Sequence, residues 1–340
     1  MINSAALLNQ LIAREDLDRD QMLGLMRAIM AGELTPAVIA GVLIALRCKG
    51  ETVIEIAAAA EVMRDLSNQV PLTAAPYLVD TCGTGGDGTH TFNISTAAAF
   101  TAAAAGASVA KHGGRSVSST SGSADVLEAL GVNVNLSPAQ VAQCIQQIGI
   151  GFMFAPSHHS AMKHAAPVRR ELAVRTLFNL LGPLTNPANA PNQVLGVYSR
   201  DLTGKLAQAL QLLGSRHVLV VHGADGIDEL SLSGASHIAE LKNGILSEFT
   251  ITPEQFGLSR ADHTSLTVGS IVAAKDMLIA ALSNQHCAAS DIVALNAGAA
   301  IYVAGLSDSL AQGVTLAMTQ ISSGAAFRKL EQLIALTNHV

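Results

Sequence analysis

Residues 80–100 read DTCGTGGDGTHTFNISTAAAF and set Gly83, Gly85, Gly86 and Gly88 between a β-branched run and an Ala-rich one. Glycines let a backbone come close to an anion and aim successive N–H groups at it. Asn93, Ser95 and Thr96 follow where a helix starting at about 94–97 would add free N–H groups and its positive dipole end. The chemistry this suits is phosphate binding. The stretch has neither the Gly-Lys-Ser/Thr of a nucleotide phosphate loop nor the G-x-G-x-x-G of a dinucleotide turn.

Residues 111–125, KHGGRSVSSTSGSAD, form a second anion-friendly stretch: Lys111 and Arg115 supply charge, and Ser116, Ser118, Ser119 and Ser123 supply hydroxyls. So polar a stretch reads as a mobile loop, not as core. A third, VHGADGIDELSLSG at 221–234, puts Asp225, Asp228 and Glu229 after an apolar strand. Carboxylates there suit Mg²⁺, which takes one or two of them plus waters and substrate phosphates. In a fourth, residues 158–188, Arg169, Arg170 and Arg175 read as lying near the N-terminal half of a helix. Cations gain nothing from the dipole there, so Glu171, phosphates or a carboxylate substrate should compensate them. His158, His159 and His164 have no regular spacing to Cys or acid, which disfavours zinc.

The elements that must position these groups follow from periodicity. Residues 4–67 read as four short amphipathic helices with more apolar surface than so small a unit can hide. Past residue 70, short strands (YLVDT, SVAKHG, GFMFAP, QVLGVY, HVLVVHG) alternate with helices. This argues for a mostly parallel sheet covered by helices, with both phosphate loops at its carboxyl edge. SHIAELKNGILSEFTI reads as a hairpin turning at Asn243-Gly244, and residues 290–305 and 308–337 read as helical.

With 49% hydrophobic and 14% charged residues, the 340-residue chain can bury a large core. A net charge of -6, 3% aromatics and no Trp argue against a nucleic-acid partner. No apolar run is long enough to read as a membrane span. Cys48, Cys82, Cys144 and Cys287 are far apart, and the opening residues carry acids where a secretory leader would be apolar. A cytoplasmic protein with reduced thiols is expected.

DTCGTGGDGTHTFNIST, KHGGRSVSS, PVRRELAVRTLFNLLGPLTNP and HGADGIDELS, in this order, resemble the anthranilate phosphoribosyltransferase family of tryptophan biosynthesis, over residues from about 5 to 335. The resemblance implies an α/β fold of nucleoside-phosphorylase type. A small helical domain (residues 1–70, joined by helices from about 171–190) would accompany a large α/β domain (75–170 and 191–340). It implies transfer of a phosphoribosyl group from 5-phosphoribosyl 1-pyrophosphate (PRPP) to anthranilate, Mg²⁺ as cofactor at two ions per subunit, and a homodimer formed through the helical domains. Gly83, Gly86, Asp87 and Thr91 would line the PRPP site, and Asn93, Ile94, Ser95 and Thr96 its pyrophosphate end. Lys111, His112, Gly113, Gly114, Arg115, Ser116, Val117, Ser118 and Ser119 would form the flexible PRPP loop, with a further contact from Ser123. Ser95 would reach one metal, and Asp228 and Glu229 a second; Gly83, His112 and Arg169 would stand near anthranilate. No catalytic nucleophile or base is implied: Lys111 and Arg115 assist by charge. The family pattern carries Asn where this chain has Gly114, so a side-chain amide contact to the aromatic substrate is missing. A pyrimidine-nucleoside phosphorylase of the same fold is the rival enzyme, disfavoured by RTLFNLLGPLTNP and DGIDELS.

Overall fold

The computed structural model describes residues 2–73, 75–115, 121–283 and 285–340. Four helices come first: α1 (Ser4–Ile12), α2 (Arg19–Ala31), α3 (Pro36–Lys49) and α4 (Val53–Asp65). Asp18 and Thr52 start α2 and α4 with reciprocal capping boxes, satisfying N–H groups the helices leave open. Inside this layer the Lys49 ammonium meets Asp16 at 2.7 Å and the fully buried Glu55 at 2.9 Å.

The rest of the chain alternates. β1 (Leu78–Gly83), α5 (Ile94–Ala104), β2 (Ser108–Gly113), α6 (Ser123–Ala129), α7 (Pro138–Ile148) and β3 (Ile150–Phe154) come first. α8 (Ala155–His158), α9 (Ala166–Leu172), α10 (Leu177–Leu181), β4 (Asn192–Gly196), α11 (Leu202–Leu212) and β5 (His217–Gly223) follow. The hairpin β6 (Ser236–Lys242) and β7 (Ile245–Ile251) and the helices α12 (Ile271–Leu282), α13 (Ala288–Ala304), α14 (Leu310–Ser322) and α15 (Ala325–Thr337) complete it. The sheet order is β3-β2-β1-β4-β5-β6-β7. β1 to β5 are parallel, and β6 and β7 run antiparallel at one edge.

Side-chain alternation sorts the sheet into two cores. Val79, Val194, Leu219 and Val221 join one with α5 and α13, while Cys82, Leu195, Val218 and Val220 join the other with α1–α4, α10 and α11. Both faces are thus covered, as a parallel sheet requires.

Two expectations are corrected. Lys111, His112 and Gly113 belong to β2, and the first two are buried; a polar run becomes core when partners come from elsewhere in the chain. Arg169 and Arg170 lie in the last turn of α9, where the dipole favours cations, and Arg175 lies between α9 and α10. Residues 308–337 are helical as expected, in two helices parted at Gly324, whose φ is 70°.

Candidate active site

The strand order reverses between β1 and β4, so a crevice opens at their carboxyl ends. Gly83 and Gly196, which end the two strands, face each other in register. A Cβ on Gly83 would overlap Asp228 Oδ2, and one on Gly196 would overlap the Asp228 carbonyl. Two missing side chains therefore let the segment carrying Asp228 and Glu229 lie across the strand ends.

That segment grips the glycine turn and the helix after it. Gly85 N–H donates to Asp228 Oδ2 at 2.8 Å, and Ser95 N–H, in the first turn of α5, donates to Glu229 Oε1 at 3.0 Å. Burial, then the charge of Asp87, pushes the Asp228 carboxyl up to about 7. Burial, then Asp228, pushes Glu229 up to about 8. Half-buried acids so placed and so close to other carboxylates hold protons more tightly unless a cation joins them. Mg²⁺ fits this donor set: hard oxygens, only two of them adjacent, with room for phosphate oxygens. Among the described residues, no three His, Cys, Asp or Glu side chains form a closed metal cage. Also among them, the N–H groups of Gly86, Asp87 and Gly88 donate to no protein acceptor. The φ values of 63° at Gly85, 76° at Gly86 and 77° at Gly88 lie where glycine is favoured, and the turn leaves those N–H groups available to an anion.

The other sequence candidates are placed as follows. Lys111 Nζ donates to Thr81 O at 2.5 Å and Ser95 Oγ at 3.2 Å, so it braces β1 and α5 from β2. Burial lowers its pKa, against the pull of Asp80, and burial raises that of Asp80. Asn93 exchanges hydrogen bonds with Ser121, and Thr91 bridges Thr267. The Ile94 and Thr96 side chains are buried and their N–H groups are spent on Phe92 O and Asn93 O. Thr96 Oγ1 has no partner among the described residues and lines a small apolar void with Phe100 and Leu127. Arg115 is turned to Asp125 at 3.0 Å and Glu128 at 2.5 and 2.8 Å. Ser123 Oγ meets Gly114 O at 3.4 Å. Ser116, Val117, Ser118 and Ser119 lie outside the described residues.

On the candidate aromatic side, the His112 N–H donates to Asp80 Oδ1 at 3.1 Å, and its ring meets the His159 ring edge-on at 5.1 Å. Burial, then His159, holds His112 well below the ordinary histidine range, and burial puts His159 at about 4. The Nε2 atoms of His112, His158 and His159 have no partner among the described residues. His158 Nδ1 is 2.7 Å from Asn68 O. These are neutral imidazoles. The Arg169 guanidinium lies 5.3 Å over the Phe178 ring, its pKa lowered by burial.

Sequence reasoning missed Asp80, although a lone acid inside YLVDTCG is itself a signal that a buried partner is needed. It also missed the pairing of His112 with His159, which no spacing reveals.

Comparison with known proteins agrees with this geometry. Residues 5–67 match the helical bundle domain of a glycosyl transferase family, and residues 75–327 match its a/b domain. An anthranilate phosphoribosyltransferase of Thiobacillus denitrificans is 62% identical over 335 residues, 98% of either chain. The crystal structure of the anthranilate phosphoribosyltransferase of Thermus thermophilus superposes with a TM-score of 0.92 at 44% identity, over 97% of this chain and 99% of that one. The enzyme of that name from Saccharomyces cerevisiae, in complex with PRPP and Mg, superposes with a TM-score of 0.84 at 27% identity, over 95% and 93% of the two chains.

Proposed function

The chain belongs to the anthranilate phosphoribosyltransferase family of glycosyl transferases, and on that premise we propose how its crevice holds and turns over the substrates. The reaction is transfer of the phosphoribosyl group of PRPP to the amine of anthranilate, giving N-(5-phosphoribosyl)anthranilate and pyrophosphate, in L-tryptophan biosynthesis. The observation that carries the reading is the laying of Asp228 and Glu229 against the glycine turn and the start of α5.

PRPP lies along Gly83, Gly86, Asp87 and Thr91, with its pyrophosphate toward Asn93 and Ser95 and the N-terminus of α5. For Ile94 and Thr96 the burial of both side chains supports a role in shaping that turn rather than in touching the ligand. Lys111 adds charge from β2 through Ser95, and Arg115 must leave Asp125 and Glu128 to join it. Mg²⁺, two ions per subunit held at Asp228–Glu229 and at Ser95, offsets charge on the leaving pyrophosphate when bound. Anthranilate sits by Gly83, with its carboxylate toward Arg169 and its ring near the neutral His112. As the C1–N bond forms, the C1–O bond breaks, the pyrophosphate leaves with the bonding pair, and the amine's proton passes to solvent. The chain supplies positioning and electrostatic stabilisation; no covalent nucleophile is needed.

The packing of α10 against α3 and α4 supports counting residues from about 171–190 with the helical domain 1–70. Ile12 and Ile44, both exposed on that layer, support a homodimer formed there; light scattering at twice the chain mass would agree, and a monomer at assay concentration would end the idea. Among the described residues no helix is long and apolar enough to cross a membrane, and we place the protein in the cytoplasm. The activity is tested by mixing protein, PRPP, Mg²⁺ and anthranilate. Anthranilate fluorescence should fall, and a steady signal at millimolar substrates would reject the reading.

A further inference from the structure

Arg175 reaches from the segment between α9 and α10 to the glycine turn: its Nη2 donates to Gly86 O at 2.7 Å. Its Cζ lies 4.2 Å over the Tyr198 ring, a close cation–π contact. Tyr198 is tied to the same turn, since its N–H donates to Thr84 Oγ1 at 3.2 Å. The side chain is solvent-exposed, yet its guanidinium is held by both contacts.

The target of this grip is one peptide group. Gly86 has a φ of 76°, a conformation open to glycine, so its peptide has unusual rotational freedom. In a trans peptide the C=O and the following N–H point in opposite directions. Pinning Gly86 O toward the guanidinium therefore directs the Asp87 N–H to the other side, and that N–H is among the three of the turn without a protein acceptor. Arg175 also leads directly into α10, which packs against α3 and α4, so the tether joins the turn to the helical layer.

We propose that Arg175 is a positioning residue of the PRPP site: laid on Tyr198, it holds the Gly86 carbonyl and so fixes the direction in which the Gly86–Asp87 peptide presents its N–H to the ligand. The inference rests on the PRPP reading above. Its role is separate from the charge of Lys111 and Arg115, because it acts through the backbone of the turn.

Steady-state kinetics of Arg175→Ala, Arg175→Lys and Tyr198→Leu test it. Losing a charge-assisted bond at an exposed site predicts a roughly tenfold rise in KM for PRPP in Arg175→Ala, with KM for anthranilate changed less than about twofold. Arg175→Lys keeps a donor but not the flat stack, so its KM should fall between. Tyr198→Leu should also raise KM for PRPP, and the double variant Arg175→Ala/Tyr198→Leu should be no worse than the more impaired single one. If Arg175→Ala does not fold, the split is read from the other two. A melting temperature lowered with both KM values unchanged, or raised equally, means a structural role and overturns the proposal. A wild-type protein with no PRPP-dependent turnover would instead reject the PRPP reading itself, and the proposal would fall with it.

Discussion

Gly114 leaves space where a side chain would fit. An added Cβ would meet only Ala155 Cβ, at 4.0 Å, and the backbone is outside the left-handed region. An asparagine can therefore enter without strain, beside the chain segment that carries His158 and His159. Gly114→Asn is expected to lower KM for anthranilate more than KM for PRPP; an equal change in both, or none, would show that this amide has no place here. Lys111 makes the opposite case, because its ammonium is buried and already bonded. Charge-assisted bonds of about 1.5–3 kcal/mol predict a roughly ten- to hundredfold loss in kcat/KM for PRPP in Lys111→Ala. The same change leaves Asp80 buried without its cation, so stability should fall too. Adding Asp80→Asn should recover part of the melting temperature and none of the activity. Wild-type kinetics, or a melting temperature that Asp80→Asn does not raise, would refute the brace.

Among the elements, α9 shows how far sequence reasoning reaches. Its pattern announces a helix, but its end is set by Ala173, a non-glycine residue at φ 51° whose N–H closes on Arg169 O. A left-handed alanine carries no mark in the sequence, so Arg169 and Arg170 were expected at the wrong end of the dipole. The strain predicts its own remedy: Ala173→Gly should stabilise by about 0.5–1 kcal/mol, the left-handed penalty less the entropy glycine adds to the unfolded chain. A raised midpoint in urea with unchanged kinetics is expected, and a lowered one would contradict the strain. Elsewhere periodicity sufficed: the glycine turn, the start of α5 and the Asn243-Gly244 hairpin lie where local residues put them. It marked β2 as a strand but not the burial of Lys111 and His112, because they draw their partners from Thr81, Asp80 and Ser95, and such partners appear only after the sheet is assembled.

For the whole molecule, two sets of titratable groups oppose each other in pH. Asp228 at about 7 and Glu229 at about 8 hold protons more tightly folded than unfolded, where their ordinary values are 3.8 and 4.5. Their contribution to stability is therefore lost as pH rises toward 8 and is constant above it. His112, His158 and His159 are pushed below the ordinary 6.5. Their neutral forms favour the fold fully above pH 6.5, and that contribution is lost as pH falls from there, down to about 4 for His159. Between 6.5 and 8 the acids slope downward while the contribution of these histidines levels off, so the melting temperature should decline across the upper part of that window. A cation between Asp228 and Glu229 favours their ionised forms and binds by displacing protons. At fixed PRPP, Mg²⁺ should then raise the melting temperature more at pH 8 than at pH 7. Asp228→Asn with Glu229→Gln should abolish both the decline and the pH dependence of the Mg²⁺ effect, while any titration of PRPP itself would persist in that variant. An identical Mg²⁺ shift at the two pH values, or a double variant that keeps the wild-type slope, would mean that the two carboxylates neither hold the metal nor carry the titration.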